Sequence, residues 1–385
     1  WLRRDETQAL LKALEGEAGR TRAVGGIVRD TLLERPRERT DIDFATELLP
    51  HEVSLRAERA GATVHPTGIE HGTVTLKLGT LVAEVTTLRE DIETDGRRAV
   101  VKFGTDWARD AGRRDFTLNA LYADMDGELF DPLGGLEDCV SGRVRFIGSP
   151  GQRIAEDRLR VFRFFRFSAS HAGERFDADG LEACRAWAGR LGNISAERVG
   201  GEFRRMLELP RIAITFRTMA DAGLLALSAE TIRLLHSYER RARRPDMSAR
   251  LALVIAEAGG KQLKALWRLS NDDVASAEAI LSVAELVRDF RLNEAAYRFP
   301  AALADGVEVA SVLAGWTDAG RGAVLDELRS LEVPRFPLGG ADLIKLGLKP
   351  GRALGLELDR LEQLWIEGGF AMDREELLAA VNRKL

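Results

Sequence analysis

Asp41 and Asp43 stand one residue apart inside the run TDIDFAT (40–46), where they alternate with Ile42 and Phe44. Alternation with period two predicts a strand with both carboxylates on one face, Cα atoms roughly 6.5–7 Å apart, and the apolar pair turned inward. Two carboxylates so placed can share Mg²⁺, whose remaining oxygen ligands are often substrate phosphates. Glu84 interrupts the apolar run LVAEVTTLR (81–89), where a charge is out of place unless it faces a polar site, and it is the candidate third carboxylate. Three carboxylates around two metals suit phosphoryl or nucleotidyl transfer. A bare D-x-D is more often a half-exposed strand with its acids in solvent, so the surrounding residues have to decide.

Gly25 and Gly26 close the run TRAVGG 15 residues before that strand, and IVRDTLLER after them reads as a short helix with Arg29 and Asp30 in its first turns. Backbone N–H groups at a glycine-rich helix start suit a phosphate. In RRDFTLNALYAD (113–124), the adjacent Arg113 and Arg114 can grip a triphosphate through their donor forks, with Asp115 beside them, and Asn119 can hydrogen-bond a sugar hydroxyl. Asp157 and Arg160, in AEDRLRVFRFFRF, are three apart and are expected on one face of one helix. Such a pair is usually a surface ion pair. It can also offer an acceptor and a donor fork to the Watson–Crick edge of a base.

These residues need a scaffold, and the chain changes texture along its length. Up to about residue 140 it reads as α/β. GTVTLKL (72–78) and LVAEVTTLR, separated by Gly79-Thr80, predict a hairpin, and short strands are expected around Leu121–Asp124 and Leu129–Asp131. Residues 90–112 are polar and weakly periodic and read as a long, partly mobile loop. From about Gln152 apolar residues recur at helical spacing, as with Ile154, Leu159, Phe162 and Phe165, and strand signals vanish. The fold class is α+β: a small head with a mixed β-sheet, then an all-α remainder. With 385 residues, 45% of them hydrophobic and 30% charged, the chain is an ordinary globular protein of two or three domains. It begins with Trp1, which reads as a trimmed start, and neither a signal peptide nor a membrane-length apolar run is legible. Two cysteines, Cys139 and Cys184, argue for a reducing cytoplasm over a disulfide scaffold. The net charge of −5 hides a local excess, since residues 141–217 carry 15 Arg or Lys against 9 Asp or Glu, and ERRARR follows at 239–244. Basic patches of this kind fit an RNA backbone and equally fit a solvated helical surface.

GGIVRDTLLER…DIDFAT, RRDFTLNALY, DPLGGLED and EDRLRVFRFFRF, in this order and spacing, resemble the successive motifs of the class II tRNA nucleotidyltransferases, the bacterial CCA-adding enzymes and their poly(A) polymerase relatives in the polymerase beta superfamily. The resemblance is dense over the first 210 residues, continues through NISAERVGGEFRRMLE (193–208) and returns in residues 340–369. It implies a nucleotidyltransferase head over residues 1–140, a base-selecting helical neck over 141–215 and a tRNA-binding body and tail over 216–385. It implies that Asp41 and Asp43 hold Mg²⁺, with Glu84 as a third catalytic carboxylate. Gly25, Gly26, Arg29 and Asp30 would surround the incoming nucleotide, and Arg113, Arg114, Asp115 and Asn119 would bind its triphosphate and ribose. Asp157 and Arg160, with Arg163 beside them, resemble the amino-acid template that selects CTP or ATP with no nucleic-acid template. REDIETDGRRAVVKFGTDW (89–107) keeps the acidic stretch and the Asp-Gly-Arg expected of members that reach the terminal A, by full CCA addition or by A addition alone. The implied partners are the tRNA 3′ end, CTP and ATP, with no membrane. Poly(A) synthesis is the alternative within the class, and a non-catalytic RNA-binding module the alternative outside it. Five histidines and no His-Asp dipeptide argue against a phosphohydrolase domain.

Overall fold

The computed structural model describes residues 1–35, 41–66, 68–94, 99–192 and 194–382. Its strands are β1 (Thr21–Val24), β2 (Ile42–Thr46), β3 (Thr63–His65), β4 (Thr73–Leu78), β5 (Leu81–Thr87), β6 (Arg89–Thr94), β7 (Ala99–Phe103), β8 (Tyr122–Ala123) and β9 (Leu129–Phe130). Seven of them form one mixed sheet in the order β3-β4-β5-β2-β1-β8-β9. The alternation read in the sequence is obeyed: Ile42 and Phe44 are buried while Asp41 and Asp43 are exposed. β4 and β5 are antiparallel through the register pair Leu78↔Leu81, so Gly79-Thr80 is the two-residue turn, with Gly79 at φ 57°. β2 runs parallel to β5 with Asp43 directly opposite Glu84. Register partners on adjacent strands project to the same face, which puts Glu84 beside the aspartates on the open side of a central strand.

The long loop expected over 90–112 is corrected by the structure. β6 and β7 pair with each other as a separate two-stranded sheet, and a helix over Trp107–Gly112 follows. The register shifts between Asp91 and Glu93, and a bulge of this kind breaks the period-two signal that would have exposed the strands. Gly72 marks where Phe103, at the end of β7, packs against the main sheet: a Cβ there would meet the phenyl ring at 2.6 Å, and the backbone is left-handed at φ 80°. The Asp-Gly-Arg at 95–97 lies outside the described residues.

The helices up to residue 141 are α1 (Asp5–Ala13), α2 (Gly26–Leu32), α3 (Pro50–Arg59), α4 (Trp107–Gly112) and α5 (Gly135–Ser141); then come α6 (Pro150–Glu156), α7 (Arg160–His171), α8 (Ala178–Trp187) and α9 (Ala196–Leu207). The single helix expected across Asp157 and Arg160 is therefore two. Asp157 is extended, at φ −145° and ψ 104°, and its Oδ1 accepts from the Leu159 N–H at 3.1 Å. A short acidic side chain that can satisfy a helix start favours such a break, although Ile154, Leu159, Phe162 and Phe165 are all buried as their spacing predicts. A phenylalanine cluster ties α7 to the Arg-Arg-Asp segment. Phe116 lies 4.9 Å from Phe146 and 5.4 Å from Phe167 between ring centroids, and Phe146 stacks on Phe164 at 5.4 Å. Each such pair adds about 0.5–1.5 kcal/mol beyond burial.

The chain divides into two compact units, one of Trp1–Leu209 with Thr215–Ala226, the other of Pro210–Ile214 with Leu227–Leu385. In the first, Thr215 is buried and donates to the Glu174 carboxylate through its backbone N–H at 2.8 Å and its hydroxyl at 3.0 Å. Phe216 packs on Phe203 at 6.0 Å. The second unit is helical, without strands among its described residues. There Arg250, fully buried, pairs with Glu239 at 3.1 Å and donates to the Pro210 carbonyl at 2.8 Å. Among the described residues no helix is long and apolar enough to cross a membrane. Cys139 and Cys184 are buried free thiols.

Candidate active site

One cavity of about 640 Å³ in the first unit gathers residues that are far apart in sequence. Gly25, Gly26, Arg29 and Asp43 enter it from α2 and β2, Arg113 to Asp115 and Asn119 from the segment after α4, and Asp157, Arg160 and Arg163 from the α6–α7 break onward. Asp41, Glu84 and Asp30, also expected in the site, do not line it. Glu84 lies opposite Asp43 on the same sheet face, and Asp41 is exposed just before β2. Asp30 is buried behind Arg29. Arg166, Phe167 and Arg205 line the cavity without having been singled out.

The start of α2 is shaped by Gly25, whose φ of 71° is left-handed and open to glycine at little cost. The Nη1 of Arg114 sits 3.7 Å from where a Cβ on Gly25 would be, so the bare backbone leaves room for that guanidinium. Arg29 donates to Asp30 at 2.8 Å and to the Asn119 amide oxygen at 2.5 Å. Asn119 passes its own amide N–H to Asp115 at 2.9 Å, and Asp115 receives Arg163 through Nε at 2.7 Å. The chain of bonds thus runs Asp30–Arg29–Asn119–Asp115–Arg163 and joins three separate segments. His171 extends it, its Nε2 3.4 Å from Asp30. Burial, and then the neighbouring Arg29 and Arg35, push the His171 pKa down to about 4, against the pull of Asp30, so the ring is neutral at pH 7. Burial also pushes the Asp115 carboxyl up, but the Arg163 guanidinium and the bonds from Asn119 and Phe116 outweigh it and hold the acid below its ordinary value.

Phe167 forms the floor. The guanidiniums of Arg29, Arg163 and Arg166 lie 5.2, 5.3 and 4.1 Å from its ring centroid, within cation–π range. Arg166 also pairs with Glu202, a carboxylate on α9 only 2% exposed, which Arg205 reaches at 3.1 Å. Burial, with the like charges of Arg163 and Arg205, lowers the Arg166 pKa despite Glu202. On the opposite wall Asp157 Oδ2 accepts from Arg198 at 2.6 Å. Arg160 donates to Glu156 at 2.6 Å and to the Arg153 and Arg113 carbonyls at 3.0 and 2.9 Å.

Seven arginines and three aspartates line this space. An excess of fixed guanidinium donors in one cavity suits a polyanion, and planar forks suit phosphate oxygens in particular. Among the described residues no three His, Cys, Asp or Glu side chains converge as a metal cage. Asp43, which lines the cavity, and Asp41, two residues before it, offer carboxylate oxygens to a hard divalent cation whose other ligands would be phosphates and water.

Comparison with known proteins assigns the fold and the family. A family model described as the poly A polymerase head domain matches residues 21–145, and one described as the probable RNA and SrmB-binding site of polymerase A matches residues 175–233. The mitochondrial CCA tRNA nucleotidyltransferase 1 of Danio rerio is 33% identical over 376 residues, spanning 94% of this chain and 87% of its own. A CCA-adding enzyme of Streptococcus pyogenes serotype M3 is 34% identical over 384 residues, spanning 94% and 92%. The crystal structure of the Bacillus stearothermophilus CCA-adding enzyme in complex with CTP superimposes with a TM-score of 0.80 at 27% identity, covering 97% of this chain and 95% of that one. The chain belongs to the class II tRNA nucleotidyltransferase family of CCA-adding enzymes and poly(A) polymerases.

Proposed function

We propose that this cavity binds CTP and ATP in turn and transfers each nucleotide to the 3′ end of tRNA, completing CCA without a nucleic-acid template. The observation that carries this reading is the convergence of Asp43, the Arg113–Arg114 pair and the Asp157–Arg160 pair on one 640 Å³ space. Two arginines can take the charge on the leaving pyrophosphate, because their forks match its oxygens. Asp41 and Asp43 would hold Mg²⁺, with Glu84 alongside. When bound, the metal favours the deprotonated attacking hydroxyl and neutralises developing phosphate charge. Arg29 and Asn119, already joined, are placed to hold the ribose and phosphates in one orientation.

The base-selecting roles of Asp157 and Arg160 follow from edge chemistry. Cytosine and adenine both present an amino donor beside a ring-nitrogen acceptor, whereas guanine and uracil present the reverse order. A carboxylate accepts from the first and a neighbouring guanidinium donates to the second, so the pair admits C and A and rejects G and U. Asp157 keeps lone pairs beyond those used by Arg198 and Leu159, and Arg160 has five N–H groups, more than its protein bonds consume. We assign the head to residues 1–140, the neck to 141–215 and tRNA binding to 216–385, and we place the reaction in the reducing cytoplasm, where the free Cys139 and Cys184 persist as thiols.

The test supplies the full chain with Mg²⁺, CTP and ATP, and tRNA transcripts ending before CCA or after CC. Addition of three and of one nucleotide, respectively, is expected. Long A-tails on an unrelated RNA would overturn the reading in favour of poly(A) synthesis. Growth of the CC-ended transcript alone would restrict it to the terminal A.

A further inference from the structure

Behind the arginine pair lies a buried cluster with no direct access to substrate. Asp110, on α4, is 1% exposed, and its one carboxylate serves three side chains. Its Oδ1 takes Arg113 through Nε at 2.8 Å and Nη2 at 2.7 Å. Its Oδ2 takes Arg114 at 3.2 Å and the Tyr122 hydroxyl at 2.9 Å. Tyr122, from β8, in turn accepts from Arg114 Nε at 3.3 Å, and the guanidinium lies 5.4 Å from its ring centroid. Burial pushes the Asp110 carboxyl up, yet the two guanidiniums and the phenol outweigh it and hold the acid below its usual range.

This arrangement is more than helix geometry supplies. α4 ends at Gly112, and Arg114, just past that end, meets Asp110 four residues back at 3.2 Å; what helix geometry does not supply is Tyr122, which reaches both from β8. Arg114 is held because a strand side chain and a helix side chain grip it from two sides. A buried carboxylate is costly unless its partners are complete, and here both arginines it collects line the cavity. Their bonds to Asp110 and Tyr122 fix two long side chains before any ligand arrives, leaving Arg114 Nη1 directed at the Gly25 turn. Ordering such side chains at the moment of binding would otherwise be charged against affinity.

We propose that Asp110 and Tyr122 are the positioning residues that pre-set the Arg113–Arg114 fork for the β- and γ-phosphates, and hence for pyrophosphate, independently of the base. The proposal rests on the nucleotide reading of the cavity. Asp110→Asn keeps the shape and removes the charge. Titration calorimetry with CTP, ATP and inorganic pyrophosphate, on the full chain with Mg²⁺, is expected to show all three Kd values rising together by about tenfold. Steady-state extension is expected to show KM for both nucleotides rising in parallel, with KM for tRNA and the CTP/ATP preference within about twofold of the parent. Tyr122→Phe should shift the same constants by about threefold. If Asp110→Asn does not fold, Tyr122→Phe decides on the same criteria. Unchanged pyrophosphate binding in a folded variant overturns the proposal, as does a loss confined to kcat or to tRNA affinity. A parent chain that binds neither nucleotide nor pyrophosphate overturns the functional reading instead, which keeps the two failures apart.

Discussion

The two walls of the cavity are held differently. On the wall proposed for the phosphates, Arg29, Arg113 and Arg114 are each tied to a buried acid or amide, through Asp30 and Asn119 or on Asp110. On the base wall, Asp157 is held by Arg198, whose side chain is 35% exposed, and Arg160 leans on Glu156 and two carbonyls. Phosphates are common to CTP and ATP, so a fixed grip costs nothing in versatility. The base changes between additions, and the Asp157–Arg198 pair, part-exposed on both sides, can be exchanged at small cost. A nucleotidyltransferase serving two substrates gains by being stiff where they agree and adjustable where they differ.

The comparison breaks most severely at the metal edge. Asp43→Ala is expected to cut single-turnover extension by roughly 10³-fold or more while tRNA retention in a filter assay is kept; surviving extension removes Asp43 from the chemistry. Behind the phosphate wall, His171 supplies a pH test. Its folded pKa of about 4 lies below the ordinary 6.5, so the unfolded chain takes up the proton first as pH falls. Stability is then full above about pH 6.5 and declines down to about pH 4, by about 3 kcal/mol. Urea midpoints at pH 7, 5.5 and 4 should record that slope, and His171→Asn should flatten it. On the base wall, Asp157→Ala should narrow the discrimination of CTP and ATP against UTP and GTP by roughly tenfold to a hundredfold, read from competing incorporation. Unchanged discrimination refutes its role. The smallest effect is expected of Arg198→Met, which frees one Asp157 oxygen and should shift the CTP/ATP ratio by about twofold to fivefold. A larger shift would mean that the base wall is as fixed as the other.

Much of the phosphate wall was legible because its signals are local. Period two placed Asp41 and Asp43 on one exposed face, and a two-residue turn placed β4 against β5. The break of an apolar run points Glu84 to a polar face, and the pairing of β2 with β5 sets it directly opposite Asp43, although it does not line the cavity. The base wall was read from apolar spacing that runs unbroken through Ile154, Leu159 and Phe162, so the interruption at Asp157 left no trace in it. Asp110 is not legible because an aspartate among arginines on a short helix looks like a solvent ion pair, and its burial and its bond from Tyr122, twelve residues on, depend on the tertiary fold. Arg166, Phe167 and Arg205 needed the packing of α7 against α9 through Glu202. The β6–β7 hairpin was lost to its register shift.

The interleaving of the two compact units bears on the order of events during synthesis. The catalytic unit takes Thr215–Ala226 as well as everything up to Leu209, and Thr215 and Phe216 close onto Glu174 and Phe203. Its last pieces therefore leave the ribosome only after the Pro210–Ile214 segment, which belongs to the other unit, has already emerged. A nascent chain halted at residue 209 would hold the whole cavity lining with Glu174 unmet, and one carried to residue 226 would not. Translation, by this account, delivers the catalytic unit complete only at Ala226, 21 residues after Arg205, its last cavity residue, has been added.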